Sequence, residues 1–191
     1  MQLKFTRRFC SAHRLMSNLS PKCQNPHGHN WEVVAVIEPT QSYMLDLNAN
    51  MVVEFGAAKK KWHTWIDEYV DHSIMLNEND RQFIRLIREI VPHTRMMLVP
   101  GDPTTEITCA LFKAKLNAIL EEEHDGQLIC TSITLVETPT NTVTFTGNEN
   151  NQVPPGTHLP ENEYEQFWWH RPDMSTFDER QVEFMETGTQ S

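Results

Sequence analysis

The sequence lacks any apolar run of membrane-spanning length. Hydrophobic residues make up 39% of the 191 positions, and they are distributed as in ordinary globular domains. Because a membrane-spanning helix needs about 20 consecutive apolar residues, we predict neither a transmembrane segment nor a membrane partner. The basic pair Arg7-Arg8 is not followed by a long apolar stretch, which argues against a secretory signal.

Cysteine is also scarce. The chain has four cysteines and is long enough to bury one well-filled core, so it does not need covalent cross-links for stability. We therefore expect Cys10, Cys23, Cys109 and Cys130 to be reduced, and we expect the protein to be cytoplasmic.

Positive charge is scarce near the end of the chain. The formal net charge is −10, and after Gly147 nine acidic residues are opposed by only Arg171 and Arg180. Most of the negative excess therefore belongs to this tail. A phosphate backbone requires a basic face, so the charge argues against a nucleic-acid partner. A small anionic substrate needs only a local cluster of lysine or arginine and remains compatible with this composition.

The hydrophobic patterns predict both strands and helices. Strands are expected at residues 2–9, 29–38, 96–99, 128–137 and 142–146. Helices are expected at residues 55–69, 80–91 and 101–123. Paired strands at both ends of a helical middle favour an α+β fold with an antiparallel sheet, and the turn at Pro139-Thr140-Asn141 is typical of a hairpin.

The composition divides the chain after residue 146. We predict one domain at residues 1–146 and an acidic extension, rich in proline and asparagine, at residues 147–191. The extension is expected to be largely irregular, with the aromatic residues Phe167-Trp168-Trp169 docked on the body or on a neighbouring subunit. A lid or a partner-binding segment is the less favoured alternative.

Three histidines and a cysteine lie close together early in the chain. His27 and His29 are two residues apart, so on a strand their side chains point to the same face, and His13 lies upstream. A single histidine is more often structural than a ligand, but three with this spacing favour zinc or a similar ion. Three protein nitrogens with one open position are typical of a catalytic zinc site.

Cys23 has two interpretations that the residues alone leave open. As a fourth ligand it would close the metal site and make that site structural. As a free thiol beside the metal, with its pKa lowered by a nearby cation or hydrogen-bond donor, it would be reactive.

Two acidic features also have alternative interpretations. Asp71-His72 follows the first long helix, either as the supporting half of a nucleophile–base arrangement or as a helix end that interacts with the dipole. Glu106 and Glu137 lie in segments expected to be partly buried, where a carboxylate needs a partner. That partner is either a group of the chain itself or a ligand with amide-like N–H donors.

Taken together, the motifs resemble those of the 6-pyruvoyl-tetrahydropterin synthase superfamily, one of the tunnelling-fold families of pterin biosynthesis. The resemblance runs from Phe9 to about Phe145. Its motifs, in chain order, are Ser11-Ala12-His13-Arg14-Leu15, Cys23 with His27-Gly28-His29-Asn30, Val53-Glu54-Phe55, Asp71-His72 with Leu76-Asn77, Pro103-Thr104-Thr105-Glu106, and Val136-Glu137-Thr138. Glu54 departs from the commoner aspartate, and the tail after Gly147 has no counterpart in the short bacterial enzymes.

The resemblance implies a role for each motif. His13, His27 and His29 would bind Zn²⁺, and Cys23 would be a catalytic thiol, not a ligand. Asp71 and His72, reached from a neighbouring subunit, would complete the relay with Cys23. The substrate-binding residues would be Glu137 for the pterin ring, with Thr104, Thr105 and Glu106 lining its pocket.

The resemblance also implies a fold, an assembly and a reaction. The fold would be an antiparallel four-stranded sheet with helices on one face, and monomers would join into a barrel, commonly a hexamer with sites at subunit interfaces. Three residues between Cys23 and His27 resemble the bacterial 6-carboxy-5,6,7,8-tetrahydropterin synthase branch, which feeds 7-deazaguanine and queuosine synthesis. That branch converts 7,8-dihydroneopterin triphosphate to the 6-carboxypterin, acetaldehyde and triphosphate, whereas the 6-pyruvoyl reaction keeps the side-chain carbons.

Overall fold

The computed structural model of the chain describes residues 1–17, 20–41, 45–46, 48–147 and 167–178. Within these residues the strands are β1 Leu3–His13, β2 His27–Pro39, β3 Ser73–Asn77, β4 Met96–Val99, β5 Leu128–Thr138 and β6 Asn141–Phe145. The helices are α1 Pro21–Gln24, α2 Phe55–Trp65, α3 Arg81–Ile90 and α4 Thr105–His124. A π-helical turn, Ile66–Val70, extends α2, and a short 3₁₀ turn spans Trp168–His170.

The strands form one mixed six-stranded sheet in the order β4-β3-β1-β2-β5-β6. The pairs β1–β2, β2–β5 and β5–β6 are antiparallel, so the four antiparallel strands expected from the sequence are present. The prediction of a sheet with only four strands is wrong, because β3 and β4 extend it beside β1 in parallel. No strand was predicted at the position of β3.

Alternation along the strands explains which face of the sheet is covered. In β2 the odd-numbered residues Trp31, Val33, Ala35 and Ile37 are all buried. Helices α2 and α4 pack on this face, with Trp62, Trp65 and Phe112 in the same hydrophobic cluster. The other face of β1, which includes Lys4 and Cys10, is exposed. The two faces therefore differ in polarity, as expected for a sheet packed against helices on one side.

A bulge in β5 sets the orientation of the end of that strand. The pairing with β2 shifts between Cys130 and Ser132, so Thr131 is left without a register partner. Cys130 is buried before the shift, and Ile133 and Leu135 are buried after it. Because side chains alternate along a strand, the extra residue turns the odd positions inward and brings Glu137 onto the helix-covered face.

The described part of the extension packs onto the body. We call residues 167–178 the docking segment. Phe167, Trp168 and Trp169 are at most 1% exposed and belong to the hydrophobic core cluster, so these aromatic residues dock on the body of the same chain. The Thr176 carbonyl accepts a hydrogen bond from the Leu98 amide at 3.0 Å, so the segment covers the outer edge of β4. The predicted irregularity of residues 148–166 and 179–191 lies outside the described residues.

Candidate functional site

The three histidines meet because β1 ends where β2 begins. In the antiparallel pair, His13 lies directly opposite His27, and Ser11 lies opposite His29. One nitrogen from each of the three rings lies within 4.8 Å of the other two. His13 is buried and the other two rings are partly exposed, so the cluster has one side open to a pocket. The predicted grouping of the three imidazoles is therefore confirmed as geometry, and the cluster could hold a metal ion.

Hydrogen bonds to main-chain carbonyls orient two of the rings. His13 Nδ1 donates to the Pro103 carbonyl at 3.0 Å, and His27 Nδ1 donates to the Asn25 carbonyl at 2.8 Å. Both Nε2 atoms are thus left with a lone pair, and they lie 3.0 Å apart. Two lone pairs at this distance repel each other unless a cation or a proton lies between them. An N–H held by an acceptor is also the usual support of a metal-binding histidine, so the donor set fits a zinc ion.

Trp31 forms the inner wall of the histidine cluster. Its ring lies edge-to-face with the rings of His13 and His29, each at 5.4 Å between centroids. Its indole N–H donates to the Ser11 carbonyl at 3.0 Å. Burial is the first cause that lowers the pKa of His13 and of His29 below the ordinary histidine value. Low pKa values favour neutral imidazoles, the form that binds metal ions.

The histidine cluster opens into a pocket of about 710 Å³. Cys23, on α1, lines the same pocket and is partly exposed. Among the described residues, the group of ligand atoms that lie within 4.8 Å of one another contains the three histidines without Cys23. The thiol therefore lies beside the cluster in this geometry and does not complete a four-ligand set.

Glu137 brings a carboxylate to the same pocket. Its Oε1 accepts a hydrogen bond from Thr105 Oγ1 at 3.0 Å and lies 3.8 Å from His13 Nε2. Thr104 caps α4 by accepting from the Ile107 amide, which places Thr105 and Glu106 at the pocket wall. The segment that contains Glu106 is partly buried, as expected, since Thr105 and Thr108 are buried, but the Glu106 side chain itself is exposed.

The structure does not bring Asp71 and His72 into this pocket within one chain. His72 Nδ1 lies 2.7 Å from Asp71 Oδ2, and the His72 side chain is 76% exposed. The pair lines a separate depression together with Cys10 and Asn30. Burial alone raises the pKa of the Asp71 carboxyl, but the Cys10 amide and His72 outweigh it, and the net pKa is lowered.

Several parts of the site were not predicted from the sequence. Trp31 continues the alternation of His27 and His29, so the period of two could have identified it. The Pro103 and Asn25 contacts use main-chain carbonyls, which leave no residue-type signal. The β5–β6 hairpin lines the opposite wall with Thr140 and Asn141, and no charged or metal-binding residue marked it in the sequence.

No helix among the described residues is both long and apolar enough to cross a membrane.

The chain is similar to several known proteins in sequence and in fold. The profile of the family described as 6-pyruvoyl tetrahydropterin synthase matches residues 2–148. A 6-carboxy-5,6,7,8-tetrahydropterin synthase of Rickettsia bellii is 32% identical over 141 residues, which cover 72% of this chain and 95% of the relative.

Two solved structures show the same fold. An uncharacterized protein of Wolinella succinogenes has a TM-score of 0.61 at 19% identity, and the match covers 77% of this chain and 98% of the other. The 6-pyruvoyl tetrahydropterin synthase of Caenorhabditis elegans has a TM-score of 0.51 at 23% identity, over 77% of this chain and 95% of the other.

Proposed function

Because the chain belongs to the 6-pyruvoyl tetrahydropterin synthase family, we propose that it is a zinc-dependent carbon–carbon lyase. Its substrate would be 7,8-dihydroneopterin triphosphate, and its products 6-carboxy-5,6,7,8-tetrahydropterin, acetaldehyde and triphosphate. The name of the 32% identical Rickettsia relative supports the 6-carboxy reaction over the 6-pyruvoyl one. This reaction would place the enzyme in 7-deazaguanine and queuosine synthesis, and its cytoplasmic location stays a prediction.

One observation carries the proposal. Three groups of side chains line one pocket. They are the imidazoles of His13, His27 and His29, the thiol of Cys23, which lies outside the histidine set, and the partly buried carboxylate of Glu137. A structural zinc site would close all four positions with protein ligands. The pocket instead leaves the metal-binding side open and keeps a reactive group beside it, which suits catalysis.

The proposed metal ligands are His13, His27 and His29. A zinc ion held there would act as a Lewis acid and lower the pKa of substrate hydroxyls. The protein's part is to keep the imidazoles neutral and oriented, through the Pro103 and Asn25 carbonyls and the wall formed by Trp31.

Glu137 is the proposed anchor of the pterin ring. A carboxylate can accept two hydrogen bonds from adjacent N–H donors, which the aminopyrimidine edge of a pterin offers. Thr105 fixes one carboxylate oxygen by its hydrogen bond, while Thr104 and Glu106 line the same wall. The anchor would place the side chain of the substrate toward the histidines, because Glu137 Oε1 is 3.8 Å from His13 Nε2.

Cys23 and His72 are the proposed proton-transfer residues. The Cys23 thiolate would remove a proton from a side-chain carbon, and His72 would supply or remove the partner proton. Asp71 holds His72 Nδ1 at 2.7 Å, which leaves Nε2 for the proton transfer. Since this pair lies outside the pocket of its own chain, the relay requires Asp71 and His72 from a neighbouring subunit.

The edges of the sheet support a barrel-like homo-oligomer, proposed to be a hexamer. β6 is one edge strand, and β1 pairs with β3 only at Ser11–His13. Among the described residues, the first part of β1 therefore has hydrogen-bonding groups without a strand partner on one side. Such edges are templates for pairing with another chain, and pairing β1 of one subunit with β6 of the next would close a barrel.

A product assay with purified, zinc-loaded protein tests the proposed reaction. With 7,8-dihydroneopterin triphosphate as substrate, we expect acetaldehyde, triphosphate and the 6-carboxypterin in equal amounts. A pyruvoyl product without acetaldehyde would assign the 6-pyruvoyl reaction instead. Absence of turnover, with tight pterin binding and full zinc content, would leave a binding module and refute the lyase proposal.

A further inference from the structure

The Asp102 carboxylate, in the loop before α4, is hydrogen-bonded to the segment after β1 and to the end of β3. Asp102 Oδ1 accepts hydrogen bonds from the Met16 amide at 2.9 Å and from Asn77 Nδ2 at 3.0 Å. Asp102 Oδ2 accepts one from the Ser17 amide at 2.7 Å. Met16 and Ser17 lie three and four residues after the end of β1, so both oxygens of Asp102 hold the segment of residues 14–17.

The segment held by Asp102 is in contact with the residue that carries the thiol. Leu15, adjacent to Met16, donates its amide to the Cys23 carbonyl at 2.9 Å. Leu15 and Cys23 both line the pocket. Helix α1 has only four residues and none of them is buried, so packing holds this turn weakly. The hydrogen bond from Leu15 is therefore an important constraint on the position of Cys23.

The same loop also orients a proposed metal ligand. Pro103, the next residue after Asp102, accepts the hydrogen bond from His13 Nδ1. One loop thus contacts the histidine cluster through a carbonyl and the thiol-bearing segment through a carboxylate. The position of this loop therefore affects the distance between the two groups.

We propose that Asp102 is a positioning residue that holds the Cys23 thiol beside the three histidines, through Met16, Ser17 and Leu15. The catalytic meaning of this inference rests on the proposed function. The carboxylate has two acceptor oxygens, and both are used. An asparagine at this position would keep one acceptor, but its amide group would face the Ser17 N–H, so it should hold the segment only partly.

The first test measures turnover in Asp102→Ala and Asp102→Asn. We expect kcat to fall about 10- to 100-fold in the alanine variant and by an intermediate factor in the asparagine variant, because small displacements of a reacting group cost this much. KM should stay within about threefold, since Glu137 and its partner Thr105 are untouched. Zinc content should remain at the wild-type level.

The second test measures the position of the thiol without any substrate. Cys23 is alkylated with iodoacetamide, and peptide mapping gives its rate. The alkylation ratio is the rate in a variant divided by the wild-type rate under the same conditions. A loosened segment should expose Cys23 more, so we expect the ratio to rise about threefold in the alanine variant.

Asp46→Ala is the matched control. Asp46 Oδ1 accepts the Asn48 and Ala49 amides at 2.8 and 2.7 Å, in a loop that does not contribute to the pocket lining of the described chain. This variant should leave kcat, zinc content and the alkylation ratio unchanged.

An unchanged alkylation ratio in both Asp102 variants would overturn the inference, as would a loss of kcat that merely follows a loss of zinc. If the wild-type protein does not turn over the pterin, the proposed function fails, while the alkylation ratio still tests the positioning of Cys23.

Discussion

The contact between Thr105 and Glu137 can be tested by removing one hydroxyl. Thr105 is buried, and its Oγ1 is 3.0 Å from Glu137 Oε1. Thr105→Val keeps the shape and removes the donor, so the carboxylate loses its orientation. We expect KM for the pterin to rise about 10-fold, in line with a hydrogen bond to a charged group. Steady-state kinetics provide the measurement, and Thr105→Ser, which keeps the hydroxyl, should stay near wild type.

Lys115 gives a prediction on stability against pH. Its Nζ is fully buried and donates to the Trp168 and Arg171 carbonyls at 2.9 and 2.8 Å. Burial lowers the pKa of Lys115 from 10.5 to about 8. Between these two values the folded chain binds fewer protons than the unfolded chain, so the free energy of unfolding rises with pH, by about 3 kcal/mol in all.

Urea unfolding of the wild type and of Lys115→Met, from pH 7 to pH 10.5, measures this effect. The free energy of unfolding of the wild type minus that of the variant should increase by about 2–3 kcal/mol across that range. Burial also raises the pKa of Cys109 to about 12, which lowers stability above pH 9, but this contribution is common to both proteins. A difference that is constant with pH would contradict the assignment.

The site could be predicted from the sequence where side chains form it, but not where main-chain groups do. Repeated imidazoles at His27 and His29 and the carboxylate at Glu137 are visible as residue types. The carbonyl of Pro103 orients His13, but a carbonyl is present in every residue and carries no sequence signal. The role of Asp102 is equally hidden, because its partners Met16 and Ser17 contribute only their amides.

At the level of elements, the docking segment adds hydrogen bonds to the edge of β4. Thr176 Oγ1 donates to the Met96 carbonyl at 2.7 Å, and Trp168 Nε1 donates to the Leu98 carbonyl at 2.8 Å. Both contacts are buried. A buried carbonyl that loses its donor retains the cost of its lost hydration.

Thr176→Val is therefore expected to lower the free energy of unfolding by about 1–2 kcal/mol. The control is Thr144→Val, which removes an exposed hydroxyl pair with Thr134 and should change stability by less than about 0.5 kcal/mol. Urea unfolding at neutral pH compares the two. Equal effects would show that the segment contributes no more than a surface contact.

The element that sequence patterns could not reveal is β3. It has five residues and lies between β1 and β4, and its burial is nearly continuous from Ser73 to Asn77. A short strand covered on both faces shows no alternation, so its pattern cannot be separated from that of a loop or a helix end. The strands β2 and β5 alternate along most of their length and were predicted almost to their ends.

At the level of the whole molecule, the separation of Cys23 from His72 predicts that one active site takes residues from two subunits. Within one chain the two residues line different depressions. If a working site takes Cys23 from one subunit and His72 from its neighbour, two inactive variants can complement each other. Cys23→Ala and His72→Ala subunits, unfolded together and reassembled in equal amounts, should regain about one quarter of wild-type turnover through mixed interfaces.

Two controls make the complementation decisive. Each variant alone should be inactive, and a mixture of Cys23→Ala with the double variant Cys23→Ala/His72→Ala should remain inactive. No recovery in the productive mixture, with mixed oligomers demonstrated by native mass spectrometry, would contradict a site that takes Cys23 and His72 from two different subunits.

The docking segment also shows where prediction from sequence stops. The aromatic composition of residues 167–169 predicts that they dock, but Lys115 on α4, which donates to the Trp168 carbonyl, lies more than 50 residues away in the sequence. Only the folded chain brings the two together. The family profile ends at residue 148, so this contact is additional to the part of the chain that the family shares.

The proposed function depends on one division of roles, in which three imidazoles hold the metal and the neighbouring thiol stays free for proton transfer. Zinc content and turnover, measured together on Cys23→Ala, test it most directly. We expect one zinc per chain, as in the wild type, with turnover reduced at least about 1000-fold, as for the loss of a group that acts in the transition state. Loss of zinc together with activity, or turnover that survives the substitution, would contradict the claim.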